Sequence, residues 1–84
     1  MKAALKTIKV YYYAVLREER GLSEETFKTC SRTAQELYLE LQKKHQLRFP
    51  LSLLKVSIND SFSDWKKQIR SGDKIVFIPP VAGG

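Results

Sequence analysis

Residues 71–84 constrain the fold more than any other stretch of the chain. Ser71-Gly72-Asp73 favours a turn, because glycine supplies a positive φ and aspartate hydrogen-bonds to nearby backbone. The apolar run 75–78 is rich in β-branched and aromatic residues, which predicts a buried strand. Pro79 and Pro80 end that strand, since proline cannot donate to a ladder, and they favour extended backbone. The stretch therefore predicts a turn, a core strand and a rigid exit.

A functional tail is predicted at residues 79–84. Val81 and Ala82 are small, and Gly83 and Gly84 follow them. A carboxylate on a segment without side chains can enter a site too narrow for a bulkier terminus. The alternative is a loose end without a function, but the order of core strand, double proline and glycines favours a functional tail. Residues 1–6 are expected to form a loose N-terminus.

Composition indicates one small domain spanning residues 1–84. A chain of this size buries little more than half of its unfolded surface, so a partner would help its stability. The hydrophobic fraction of 43% argues against disorder. With Cys30 as the lone cysteine, an internal disulfide and a zinc site are excluded, and no metal is expected. No signal peptide or membrane span is visible, so a cytoplasmic protein without membrane contact is expected.

The formal net charge of +6 has three interpretations. A solvated surface is favoured, and docking onto an acidic partner or an anionic substrate is second. A nucleic-acid binding module is a distant third, because such proteins interleave basic and aromatic side chains on one face. The tyrosines of residues 11–13 are separated in sequence from the basic groups at 43–48 and 66–74.

Residues 8–30 read as an antiparallel hairpin with a longer loop. The first strand, 8–16, alternates so that Tyr11 and Tyr13 lie opposite the Val10 face. Residues 17–23 are charged and turn-like. The second strand, 24–30, has Phe27 as its inward anchor.

One helix follows the hairpin. Thr33 and Glu36 have the spacing of a capping box, and apolar residues recur at helical spacing up to Leu41. His45 falls in the last turn and is interpreted as a helix-end residue, because no nucleophile or second ligand accompanies it. Residues 54–58 form another strand.

The predicted elements follow the order of the β-grasp, or ubiquitin-like, fold: strand, strand, helix, strand, a short piece and strand. The predicted α+β fold is a mixed sheet of four to five strands with one main helix packed across one face. Phe62 and Trp65, in the short piece, are expected to pack over the core. If the helix covers Ile75 and Phe77, the opposite face exposes an apolar patch, and such patches usually mark partner sites. The candidate interface residues are Tyr11, Tyr13, Val76 and Ile78.

Two segments resemble a known family. Residues 72–84 closely resemble the C-terminus of the small subunit of molybdopterin synthase, in the MoaD-like sulfur carriers. Residues 8–18 are similar to that family's opening strand and the turn after it. The resemblance covers about residues 7–84, although the middle matches in pattern only. The family's small subunits are often acidic, so the net charge here is a departure.

The resemblance implies a carrier rather than an enzyme in its own right. No catalytic triad, phosphate loop or metal motif is present in the sequence. By resemblance, an E1-like (MoeB-like) enzyme uses ATP to adenylate Gly84, and sulfur replaces AMP to give a thiocarboxylate. The large (MoaE-like) subunit of a heterotetrameric synthase then receives the tail, and the sulfur passes to cyclic pyranopterin monophosphate in molybdenum cofactor biosynthesis. The residues implied in tail insertion are Pro79, Pro80, Val81, Ala82 and Gly83.

Two rivals share this tail. A ThiS-like sulfur carrier for thiazole synthesis uses the same chemistry, although residues 77–80 and the longer helical region count against it. A ubiquitin-like protein modifier would instead join Gly84 to a lysine by an isopeptide bond.

Overall fold

The computed structural model describes residues 5–80, which form a five-stranded mixed sheet and two α-helices. The elements are β1 (Lys6–Tyr12), α1 (Val15–Arg20), β2 (Glu24–Thr29), α2 (Ala34–His45), a 3₁₀ turn (Leu51–Leu53), β3 (Lys55–Ile58), β4 (Ser61–Ser63) and β5 (Lys74–Ile78). The strand order is β2-β1-β5-β3-β4. β1 and β5 are parallel, and the other neighbours are antiparallel. The predicted β-grasp fold is confirmed.

The core lies on one face of the sheet, where α2 covers it. Alternate residues of β1, β2, β3 and β5 are buried there, and α2 contributes its apolar face. Its centre is Phe77, whose ring meets Tyr38 edge-on at 5.0 Å between centroids and stacks on Trp65 at 5.9 Å. Burying each large side chain is worth about 1.5–3 kcal/mol, so this cluster is a main source of stability. The predicted inward positions of Phe27, Ile75 and Phe77 are confirmed.

The first strand is shorter than predicted. It ends at Tyr12, and residues 15–20, expected to continue the strand into a turn, form α1. Ala14 breaks the strand with a φ of 52°. The short helix buries Leu16 completely. Gly21 then ends α1 in the left-handed conformation, with a φ of 86°.

The predicted helix is α2, and its cap is partly as expected. The Thr33 hydroxyl accepts from the backbone N–H of Glu36 at 3.1 Å. The carboxylate of Glu36 accepts from the N–H of Arg32 at 2.8 Å, one residue before the position that a standard capping box uses. His45 is the last residue of α2, as predicted.

The prediction that Phe62 packs over the core is wrong. Residues 61–63 form β4, an edge strand paired with β3, and Phe62 is 73% exposed on the face that α2 does not cover. Trp65 packs against the core as predicted. The difference follows from strand alternation, because Phe62 lies opposite Ser57 and shares its outward direction.

Candidate functional site

The predicted tail begins at the end of a central strand. β5 is hydrogen-bonded to β1 on one side and to β3 on the other. After Ile78, Pro79 is buried and Pro80 is exposed, so the chain leaves the body of the domain between the two prolines. Val81, Ala82, Gly83 and Gly84 lie outside the described residues, as do positions 1–4 of the predicted loose N-terminus; β1 already begins at Lys6.

An apolar hollow of about 740 Å³ opens beside this exit. Seven residues line it: Tyr13, Ala14, Val15, Phe49, Ile78, Pro79 and Pro80. Two candidate interface residues therefore meet the first two tail residues here. We name this feature the exit hollow.

Three residues of the exit hollow were missed by sequence reasoning: Ala14, Val15 and Phe49. Phe49 is held by α2, since the buried Tyr38 hydroxyl donates to its carbonyl at 2.6 Å. Burial raises the pKa of Tyr38 to about 12, so this hydroxyl stays protonated. The Phe49-Pro50 step was the available signal, because proline extends the residue before it.

A hydrogen-bonded cluster supports the other wall of the exit hollow. The Tyr12 hydroxyl donates to Glu25 at 2.6 Å, and Arg20 donates two bonds to the same carboxylate at 2.8 and 2.9 Å. Burial raises the pKa of Glu25, but the bonds from Arg20 and Tyr12 outweigh it, and the pKa lies below its usual value of 4.5. The cluster ties the last residue of α1 to β2, while Val15, the first residue of α1, lines the exit hollow.

The other two candidate interface residues lie on the helix-free face of the sheet. Tyr11 and Val76 are register partners on β1 and β5. The row continues through neighbouring register partners across all five strands: Glu24, Tyr11, Val76, Ser57 and Phe62. We name it the cross-sheet row. The four predicted residues thus divide into Tyr11 and Val76 in the row, and Tyr13 and Ile78 at the exit hollow.

Lysines accompany the aromatic residues of this row. The Lys74 ammonium lies 5.1 Å from the Tyr11 ring centroid, and that of Lys55 lies 5.9 Å from the Phe62 ring centroid. Lys74 also pairs with Asp60 at 2.9 Å, and that hydrogen bond raises the pKa of Lys74. Separation along the sequence had suggested that aromatic and basic groups lie apart, but the strand pairing brings them together.

The described part of the chain offers little chemistry of its own. Within residues 5–80, no group of three or more His, Cys, Asp or Glu side chains could hold a metal ion. Over the same residues, no helix has the length and apolar character needed to span a membrane. Cys30 is exposed after β2. Burial, followed by the nearby Arg20 charge, lowers the pKa of His45, which lies at the end of α2.

Comparison with known proteins identifies a family and a shared fold. A model of the ThiS family matches residues 10–84. No curated protein sequence matches the chain significantly.

Three solved structures illustrate the shared fold. A putative molybdopterin converting factor, subunit 1, from Pyrococcus furiosus has a TM-score of 0.75 at 22% identity, over 90% of this chain and 99% of that one. SAMP1 from Haloferax volcanii has a TM-score of 0.76 at 18% identity, over 93% and 99%. A protein–protein complex of subunits 1 and 2 of molybdopterin-converting factor from Helicobacter pylori contains a chain with a TM-score of 0.64 at 28% identity, over 93% and 99%.

Proposed function

The chain belongs to the ThiS family and is a MoaD-like, ubiquitin-like sulfur carrier, and from this premise we propose that it is the sulfur-donating small subunit of molybdopterin synthase. Its partner is then the synthase large subunit. Similarity to a subunit of the two-protein complex from Helicobacter pylori, at 28% identity, supports this choice within the family. The chemistry is assigned to the carboxylate of Gly84, and catalytic side chains belong to the partner.

The proposed chemistry begins with activation, because a carboxylate is a poor electrophile. In an E1-like enzyme, a carboxylate oxygen of Gly84 attacks the α-phosphate of ATP, and pyrophosphate leaves. Hydrosulfide then attacks the acyl carbon, and AMP leaves with the bonding electron pair. The product is a thiocarboxylate, whose nucleophilic sulfur forms a carbon–sulfur bond with cyclic pyranopterin monophosphate in the large subunit. Water then cleaves the acyl–sulfur bond, which leaves the sulfur on the pterin and restores the Gly84 carboxylate.

The observation that carries the proposal is the position of the tail exit. β5 is hydrogen-bonded on both sides and its Phe77 is fully buried, so the point where the chain leaves the domain is fixed. From Pro80, an extended chain reaches about 15 Å to Gly84. The prolines restrict its conformations, which lowers the entropy lost when a partner binds it.

The exit hollow gives the partner a surface to hold while the tail is inserted. It is apolar and adjoins the first tail residues, so a partner side chain placed there would fix the direction of residues 80–84. Tyr13 and Ile78 are its proposed contacts. Tyr11 and Val76 extend the same interface onto the helix-free face.

Reconstituted sulfur transfer tests the proposal. The chain is first loaded with sulfur by the activating enzyme from its own organism, with ATP, and then mixed with the large subunit from that organism and cyclic pyranopterin monophosphate. We expect molybdopterin to form and the chain to return to the carboxylate. A loaded chain that binds the large subunit but yields no molybdopterin contradicts the proposal.

Two other functions share the tail and are separated by mass spectrometry of the chain isolated from cells. The family model that matches is named for ThiS, which favours a carrier for thiazole synthesis as the second candidate. Both carriers exchange one oxygen for one sulfur at Gly84, and they differ in which acceptor the loaded chain serves. A protein modifier would instead leave Gly-Gly remnants on lysines of other proteins.

A further inference from the structure

We propose that the helix-free face of the sheet is a basic docking surface that binds an acidic patch on the partner protein. The inference rests on the proposed function for the identity of that partner, the synthase large subunit. It adds the charge that the partner must present.

Strand alternation places four lysines on this face. The core residues of β1, β2, β3 and β5, such as Val10, Phe27, Val56 and Phe77, face α2. The alternate positions, which include Lys9, Lys28, Lys55 and Lys74, therefore point to the opposite side. They surround the centre of the cross-sheet row, where Val76 is buried and Tyr11 half-buried. The acidic side chains nearby are fewer: Glu24, at the β2 end of the row, and Asp60, which Lys74 already engages.

The positions of Lys9 and Lys74 also favour an acidic partner. They are direct register partners on the parallel strands β1 and β5. Like charges opposite one another on one face of a sheet reduce its stability, so this pair has a cost in the isolated domain. The Asp60 carboxylate accepts a hydrogen bond from Lys74 and offsets its positive charge, whereas Lys9 is exposed at the centre of the sheet. An acidic group from a partner would relieve both charges.

The apolar features of the surface favour a protein over a nucleic acid. Phe62 is 73% exposed at one end of the row. At the end of β5, Ile78, the register partner of Lys55, leads into the exit hollow. An apolar hollow of this kind accepts protein side chains and offers nothing to a phosphate. A basic rim around an apolar centre matches a protein interface in which charge sets the association rate and register.

Charge reversal tests the inference with the full chain and the purified large subunit from the same organism. Lys9→Glu and Lys55→Glu are combined, because neither lysine pairs with an acidic side chain among the described residues. The expected result is a loss of affinity of about tenfold or more, mostly as slower association, and a weaker dependence on salt. Lys66→Glu combined with Lys67→Glu is the charge-matched control, since the carbonyls of Trp65 and Lys67 accept from the start of α2, away from the helix-free face. It should bind like the wild type.

The outcomes separate this inference from the proposed function. Equal binding before and after the double reversal overturns the docking inference, while sulfur transfer by the same samples would leave the proposed function standing. No binding by the wild-type chain overturns both. The same variants are also titrated with a single-stranded RNA oligonucleotide. The inference would be overturned if the wild-type chain bound this RNA and the double reversal abolished RNA binding without changing the affinity for the large subunit. The face would then be a nucleic-acid binding surface.

Discussion

Glu25 is a half-buried side chain whose negative charge is held by two partners in the folded domain. Its carboxylate accepts from Tyr12 and Arg20, and together these three groups secure α1 against the hairpin. Side chains of Arg20 and Glu25 are mostly buried, at 19% and 15% exposure, so water competes little with the pair. α1 begins at the exit hollow with Val15, so the cluster anchors the other end of the same short helix.

Replacing Glu25→Gln should lower the free energy of unfolding by about 2 kcal/mol at neutral pH, because charged hydrogen bonds are lost. The folded-state pKa of Glu25 lies below the ordinary value of 4.5. Its stabilisation is therefore complete above that value and is lost as the pH falls through the lower, folded-state pKa. Urea unfolding at pH 7 and about pH 3 measures the difference. A difference between the two proteins that does not shrink in acid would contradict this assignment.

Among the strands and helices, the regular elements were predictable and the short ones were not. β2, α2, β3 and β5 follow periodicity and capping signals that are visible in the sequence. α1 was missed because a helix of six residues shows less than two full turns of pattern, and its only deep anchor is Leu16. β4 was missed because three residues cannot display alternation.

The candidate site was predictable to the same limited extent. The alternation of side chains along each strand was enough to place Tyr11 and Val76 on the same, helix-free face of the sheet, once β1 was assumed to pair with β5. The exit hollow could not be foreseen, because Ala14 and Phe49 reach it through irregular backbone. Phe62 shows the same limit, since its direction depends on the β3–β4 register, which no local signal determines.

Truncating Trp65 should destabilise the domain strongly and truncating Phe62 should barely affect it, although the two residues lie only three positions apart. Trp65 stacks on Phe77 and meets Tyr38, so Trp65→Ala should cost about 3 kcal/mol of stability. Phe62→Ser, at an exposed position, should change the free energy of unfolding by less than about 0.5 kcal/mol. Equilibrium urea unfolding compares both variants with the wild type. A large loss of stability from Phe62→Ser would show that it packs in the core after all.

Across the entire domain, the residues that stabilise the fold are separate from those proposed to bind partners and to carry sulfur. The core beneath α2 holds the sheet together, and the helix-free face and exit hollow are available to a partner. A domain of this size has little stability to spare, so a reactive group built into its core would be costly. The proposed location of the reactive carboxylate, at Gly84, avoids that cost. The fold then acts as the part that partners recognise.

The most direct measurement of this account compares the wild-type chain with one lacking Gly84. Without that residue, the tail is about 3.5 Å shorter, and its carboxylate would stop short of the partner's reacting groups. Each chain is offered to the activating enzyme with ATP and a sulfur source, and then to the large subunit with its pterin substrate. We predict that the shortened chain folds and binds the large subunit like the wild type, but delivers no sulfur. A shortened chain that still delivers sulfur would contradict the assignment of Gly84 as the carrier.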